Sequence, residues 1–285
     1  MPVRRRSAAA VSAAAVLVAL SGASAGRPVD ASRFARGSCV AFTPREPARD
    51  LTVFVDAGHG GPDPGAVGVT PGGRPVHEAD ETLRVALDAV PLLRAEGFRV
   101  VISRSTPGAV AKPAPGDLSG GLFTGQGVHR DLIARDVCAN RARAAILIGV
   151  YFNASAASST GGSLTLYDSA RPFSPASRRL SLLVQRDVLA RLRTNGYAVA
   201  DDGVHDDVGY GSSVTAADRA YGHLLLLGPA KPGYFADPTQ MPGALIEPLF
   251  ITNPAEASIA SSSRGQVVLA RGLADAARDY FRRGS

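Results

Sequence analysis

The stretch LTVFVDAGHGGPDPGAVG (residues 51–68) decides how the chain folds. Leu51 to Asp56 form a short apolar run that breaks into Gly58, Gly60 and Gly61, the pattern of a buried strand ending in a tight turn. The next periodic segment, ADETLRVALDAVPLLRAE (79–96), places Leu83, Ala86, Leu87, Val90 and Leu93 on one helical face, and Gly97 suits the position just past a helix end. Pro91 is awkward inside that helix and predicts a kink or two short helices. FRVVIS (98–103) resumes as strand. A strand, a helix and a strand in succession imply a parallel pair with the helix laid across it.

Working outward, the alternation continues. A Gly/Pro-rich segment from Thr106 to Gly127 reads as an irregular surface insertion, followed by a helix over 131–143 and an apolar run, AILIGV (145–150). SLTLY (163–167) is the next strand, and Ser174-Pro175 reads as the N-cap and first residue of a long helix closed by Asn195-Gly196. A second Gly/Pro-rich stretch covers 228–243. ALIEPLF (244–250) is a further strand, and a final helix runs from about Gln266 to Phe281. The expectation is a single α/β domain with three layers, α/β/α, around a mostly parallel sheet.

Composition narrows the class without naming a function. In 285 residues, 45% hydrophobic and 20% charged, there is length for a sizeable core. Residues 1–25 read as a secretory signal peptide: Arg4, Arg5 and Arg6 head an apolar run from Ala8 to Leu20, and Ala23-Ser24-Ala25 has the form of a cleavage site. That run falls short of the about 20 apolar residues a membrane span needs, which makes an uncleaved membrane anchor the weaker reading. Removing its three arginines and no acid takes the net charge from +6 to +3, well short of the basic excess of a nucleic-acid binder. In an oxidising compartment Cys39 and Cys138 can form one disulfide, tying the arm 26–50 to a domain over 51–285.

Chemistry in open α/β sheets collects where strands end. His59 sits in the glycine turn after the first strand, Glu78 at the mouth of the first helix, Tyr151 after the 145–150 strand, and Glu247 inside the apolar 244–250 run. A lone His is more often a structural group than a ligand, and a Glu in a first helical turn simply suits the helix dipole, as Asp80 and Glu81 do. Glu247 is less easily dismissed. An unpaired carboxylate in an apolar strand is expensive, so it is expected to face a cleft or a metal.

These residues together resemble the zinc-dependent N-acetylmuramoyl-L-alanine amidases of the amidase-3 type. The likeness runs in order through VFVDAGHGGPDPGAVG (53–68), EADETLRVA (78–86), GFRVVISR (97–104), CAN (138–140) and ALIEPLFITNP (244–254). It implies an α/β/α hydrolase that cleaves the amide between N-acetylmuramic acid and L-alanine in peptidoglycan. By that resemblance His59 and Glu78 match two Zn2+ ligands and Glu247 the catalytic carboxylate.

The third ligand departs from the family pattern, Ser-Ile-His-x-Asn-Ala. Here Gly149-Val150-Tyr151-Phe152-Asn153-Ala154 stands in register, so Tyr151 occupies the position of the metal-binding His. A phenol must lose a proton of pKa about 10 to bind zinc as an imidazole does. The alternatives are Tyr151 as a phenolate ligand, water in its place, a nitrogen from His77, His129, His205 or His223, with His223 preferred, or a dead site. Two functions follow: a secreted cell-wall amidase acting on peptidoglycan or muropeptide, or a catalytically impaired relative that binds muropeptide or a partner and regulates wall turnover.

Overall fold

The computed structural model describes residues 26–208 and 215–282; the expected signal peptide lies outside the described residues. The chain opens with β1 (Arg27–Pro28) and β2 (Ser38–Phe42), then enters the β-α-β unit: β3 (Thr52–Ala57), a short hairpin of β4 (Val67–Val69) and β5 (Pro75–His77), α1 (Glu78–Ala95) and β6 (Arg99–Arg104). The Gly/Pro-rich insertion holds a second small hairpin, β7 (Leu118–Ser119) and β8 (Leu122–Phe123). It leads through α2 (Gly125–Arg141) to β9 (Ile146–Val150). Then follow β10 (Ser163–Tyr167), α3 (Ser174–Thr194), β11 (Asp201–Asp206), α4 (Ala216–Tyr221), β12 (Gly243–Glu247), α5 (Pro254–Ala260) and α6 (Ser263–Phe281).

Eight strands join one sheet in the order β1-β2-β6-β3-β9-β12-β10-β11. Its centre, β6-β3-β9-β12, is parallel throughout, while β2 pairs antiparallel with β6, and β10 antiparallel with β12. The alternation of side chains along β3 divides the core. Val53, Val55 and Ala57 face α1, α3 and α6, whereas Phe54 packs with Cys138 and Ala139 of α2 and Leu226 on the opposite face. The α/β/α layering and mostly parallel sheet match the expectation. Because the four central strands run the same way, the turns after β3, β9 and β12 gather at one end of the sheet, and the start of α1 joins them.

Several local expectations are corrected. α1 is a single helix through Pro91. Pro91 lies on the solvent face, where water can serve the carbonyl whose partner N–H is missing. Leu87 also turns outward, at 36% exposure, and Val85 and Ala89 take the buried face with Ala86. The helix expected over 131–143 begins six residues earlier, with the Thr124 hydroxyl accepting from the Gly127 N–H as its cap. Ser174 is the first residue of α3 and Phe173 its N-cap. The 244–250 strand stops at Glu247, before Pro248. β11 and α4, which carry no strong periodicity, were missed.

Residues 26–50 supply β1 and β2 at the sheet edge, and the Cys39–Cys138 disulfide joins β2 to α2 on one face of the sheet. The bond closes a loop with a sequence separation of 99. Replacing both cysteines by Ala is therefore expected to cost about 2–5 kcal/mol of stability, read as a lower urea midpoint under oxidising conditions. An unchanged midpoint would show that the edge strands are held by packing alone.

Candidate metal centre and active site

His59 is held in a left-handed backbone conformation, φ +58°, which a non-glycine residue adopts only when its surroundings impose it. Two buried arginines impose it. Arg135 of α2 bonds Asp56 Oδ1 at 2.7 Å and Asp131 Oδ2 at 2.8 Å, and donates to the carbonyls of Ala57 and His59 at 2.7 and 2.6 Å. Arg104, at the end of β6, donates to the carbonyls of Ala57, Gly58 and Ala79. Burial, and then the charge of Arg135, draw the Arg104 pKa down to about 10. Every carbonyl of the turn 57–59 thus meets a guanidinium.

The imidazole that emerges is oriented at both nitrogens. Nδ1 stands 2.9 Å from Asp63 Oδ2, and Nε2 stands 3.1 Å from Glu78 Oε1. Glu78, the first residue of α1, is fixed in turn: Oε1 accepts from the Phe152 N–H and Oε2 from the Ala66 N–H, both at 2.8 Å. Gly65, with φ +66°, allows this close approach, since a Cβ there would lie 2.7 Å from Glu78 Oε2. Burial pulls the His59 pKa down, but the Glu78 charge and the Asp63 hydrogen bond outweigh it and raise it to about 10. The pair of carboxylates favours a positive charge at this point.

Glu247, the last residue of β12, completes the group. His59, Asp63, Glu78, Phe152, Thr215 and Glu247 line a cavity of about 280 Å³. Burial raises the Glu247 pKa to about 8, with a further rise from the Glu78 charge and an opposing pull from His59. The structure thus brings together three of the four residues singled out from sequence.

Tyr151 is the exception. Its ring meets His59 edge-on, with centroids 5.3 Å apart, and a Cβ on Gly58 would lie 2.6 Å from it. Its hydroxyl turns down and donates to Asp56 Oδ2 at 3.0 Å, beneath the cavity, which it does not line. Burial, and then the Asp56 charge, push the phenol well above its usual pKa, so it is held as a protonated hydrogen-bond donor. The expected phenolate ligand is therefore not presented in this arrangement. His223, the preferred substitute, is also placed elsewhere, on Asp168 with Nδ1–Oδ2 at 2.8 Å. His77, His129 and His205 do not line the cavity either.

A divalent cation fits the donor set: one imidazole nitrogen and one carboxylate oxygen face each other, and a carboxylate on the far imidazole nitrogen fixes the ring, as it does in metal-binding histidines. Sequence reasoning overlooked Asp63, Asp56, Arg104 and Arg135. The spacing of Asp63 four residues after His59 in a tight glycine turn was a readable signal. An Arg in the middle of α2 was not, because only the fold carries it to Asp56, 79 positions away.

Comparison with known proteins gives the chain's family and fold relatives. The sequence profile of the Amidase_3 family, described as N-acetylmuramoyl-L-alanine amidase, matches residues 53–279. The germination-specific N-acetylmuramoyl-L-alanine amidase of Bacillus subtilis (strain 168) is 24% identical over 235 residues, 82% of this chain and 81% of that protein. In fold, the chain resembles the CwlD amidase of Clostridioides difficile, solved with the GerS lipoprotein. The TM-score is 0.59 at 21% identity, covering 81% of this chain and 98% of the other. The catalytic domain of CwlV from Paenibacillus polymyxa gives a TM-score of 0.55 at 21% identity, covering 81% and 97%. With the profile spanning most of its length, the chain belongs to the amidase-3 family of N-acetylmuramoyl-L-alanine amidases.

Proposed function

We propose that the protein is a secreted cell-wall hydrolase that cleaves the amide between the lactyl group of N-acetylmuramic acid and L-alanine of the peptidoglycan stem peptide, with a zinc ion held by His59 Nε2 and Glu78. The observation that carries this reading is the convergence of His59 and Glu78, 3.1 Å apart and each fixed by further contacts, on the cavity that Glu247 lines. No helix among the described residues is long and apolar enough to cross a membrane, which accords with export of the mature chain. A zinc ion in that place would polarise the scissile carbonyl and acidify a water.

The protein's own groups supply the rest. Glu247, buried in the cavity wall, can take a proton from the attacking water and return it to the departing amine. The hydroxyl adds to the carbonyl carbon, the C–N bond breaks, and the products are a lactyl carboxylate and a free L-alanine amine. Asp63 holds the His59 ring so that Nε2 faces the cavity. Tyr151 supports the turn from below and donates to Asp56, acting in place rather than as a ligand.

A second reading, a muropeptide-binding protein without turnover, draws on that same commitment of Tyr151, which leaves the position of a third nitrogen unfilled. Three variants, beside the wild type, test the site. Glu247→Gln should abolish muropeptide cleavage while zinc content stays intact; unchanged turnover would overturn the assigned role of Glu247, and a wild type that binds zinc and muropeptide without cleaving would favour the binding protein. Asp63→Asn should weaken zinc affinity about 10–100-fold, measured by competition with a chelating dye, and equal affinity would remove Asp63 from the site. Tyr151→Phe should keep its zinc and lose about 1–3 kcal/mol of stability, because Asp56 Oδ2 loses its donor. Loss of zinc from that variant would instead make Tyr151 a ligand.

A further inference from the structure

A second group of metal-ligating side chains lies at the other end of the sheet. β10 and β11 run opposite to β12, so their carboxyl ends point away from the cavity. Glu247 pairs with Leu164 of β10, and Asp168 stands four residues further along, roughly 13 Å down the strand. Asp168 follows β10, Asp207 follows β11, and His223 follows Gly222, the left-handed residue that ends α4. One donor atom from each lies within 4.8 Å of the others. His223 Nδ1 is 2.8 Å from Asp168 Oδ2 and 3.5 Å from Asp207 Oδ1.

The remaining contacts aim these atoms at one point. Asp168 Oδ1 accepts from the Ala170 N–H at 2.6 Å and Asp207 Oδ2 from the Leu224 N–H at 2.7 Å, leaving the opposite oxygens toward the imidazole. Both carboxylates are buried, and among the described residues Asp207 Oδ1 has no hydrogen-bond partner, a costly state for a carboxylate oxygen out of water. The Arg171 guanidinium, whose charge acts on Asp168, is spent on the carbonyls of Leu227, Gly228 and Thr239. The imidazole keeps 22% exposure, which gives an ion a path from solvent.

We infer that Asp168, Asp207 and His223 form a second divalent-metal site, distinct from the His59 centre, that takes a zinc-class ion and braces the wall of the catalytic cavity. One imidazole and two carboxylates, with a fourth position left for water, suit zinc; the nitrogen donor disfavours magnesium or calcium. The bracing follows from chain order. α4 starts beside Thr215, which lines the cavity, and ends beside His223. Asp207 and Asp218 hold the N–H groups of Leu224 and Leu225. An ion on Asp168, Asp207 and His223 would join the ends of β10 and β11 to this turn.

The test is equilibrium dialysis of purified His59→Ala protein against Zn2+, beside the double variants His59→Ala/His223→Ala and His59→Ala/Asp207→Asn, each checked for folding by circular dichroism. About one zinc per chain should remain in the single variant and be lost from both doubles. In the single variant alone, zinc at a hundredfold excess over its Kd should raise Tm by roughly 5–10 °C. Equal zinc in single and double variants, or none in any, overturns the proposal. Should His59→Ala fail to fold, wild type and His223→Ala are compared directly: one zinc fewer in the variant supports the second site, and equal stoichiometry overturns it.

Discussion

The candidate centre depends on the clamp that Arg135 and Arg104 place on the turn after β3. A guanidinium taken out of water is destabilising unless its charge and its donors are all met. Arg135 meets both conditions by lying between Asp56 and Asp131 and donating to two carbonyls of the turn. The same bonds hold His59 at φ +58°, so side chains outside the cavity set where the imidazole leaves the backbone, and Asp63 and Glu78 then fix its ring. The pair is better understood as a device for direction than as a source of net stability, since buried ion pairs of this kind gain little over apolar packing.

Tyr151 belongs to that supporting layer. Where the family pattern has an imidazole facing the metal, this chain has a phenol whose length carries its oxygen past His59 to the second oxygen of Asp56. Asp56 is thereby bonded by Arg135 on one oxygen and Tyr151 on the other. At this position the chain has a contact with the clamp where the family pattern has an imidazole, and the cavity keeps His59, Asp63, Glu78 and Glu247. The change of strand direction between β12 and β10 then keeps Asp168, Asp207 and His223, which lie close to one another, apart from them.

Much of this was legible in the chain. The strands around 51–56, 98–103, 145–150 and 163–167 are continuous apolar runs, as strands buried on both faces must be, and each lies within a residue or so of its place. His59, Glu78 and Glu247 could be found because each sits where a strand or helix begins or ends. What sequence could not supply was long-range. Whether Tyr151 faces the metal or Asp56 depends on which side of β9 the phenol leaves, and the partners of Arg135 and His223 come from distant segments. β11 escaped notice because DDGVHD (201–206) is polar and half-exposed at the sheet edge, without the pattern that marks a buried strand.

The most direct test of the account is to digest purified peptidoglycan with the zinc-loaded mature protein and identify the products by mass spectrometry. Cleavage at the lactyl–L-alanine amide releases stem peptides with a free L-alanine amino terminus and leaves the glycan strands intact, which is the result the account predicts. Zinc held at His59 and Glu78 with no such peptides released would contradict it, and would leave the cavity as a place for binding the wall rather than cutting it.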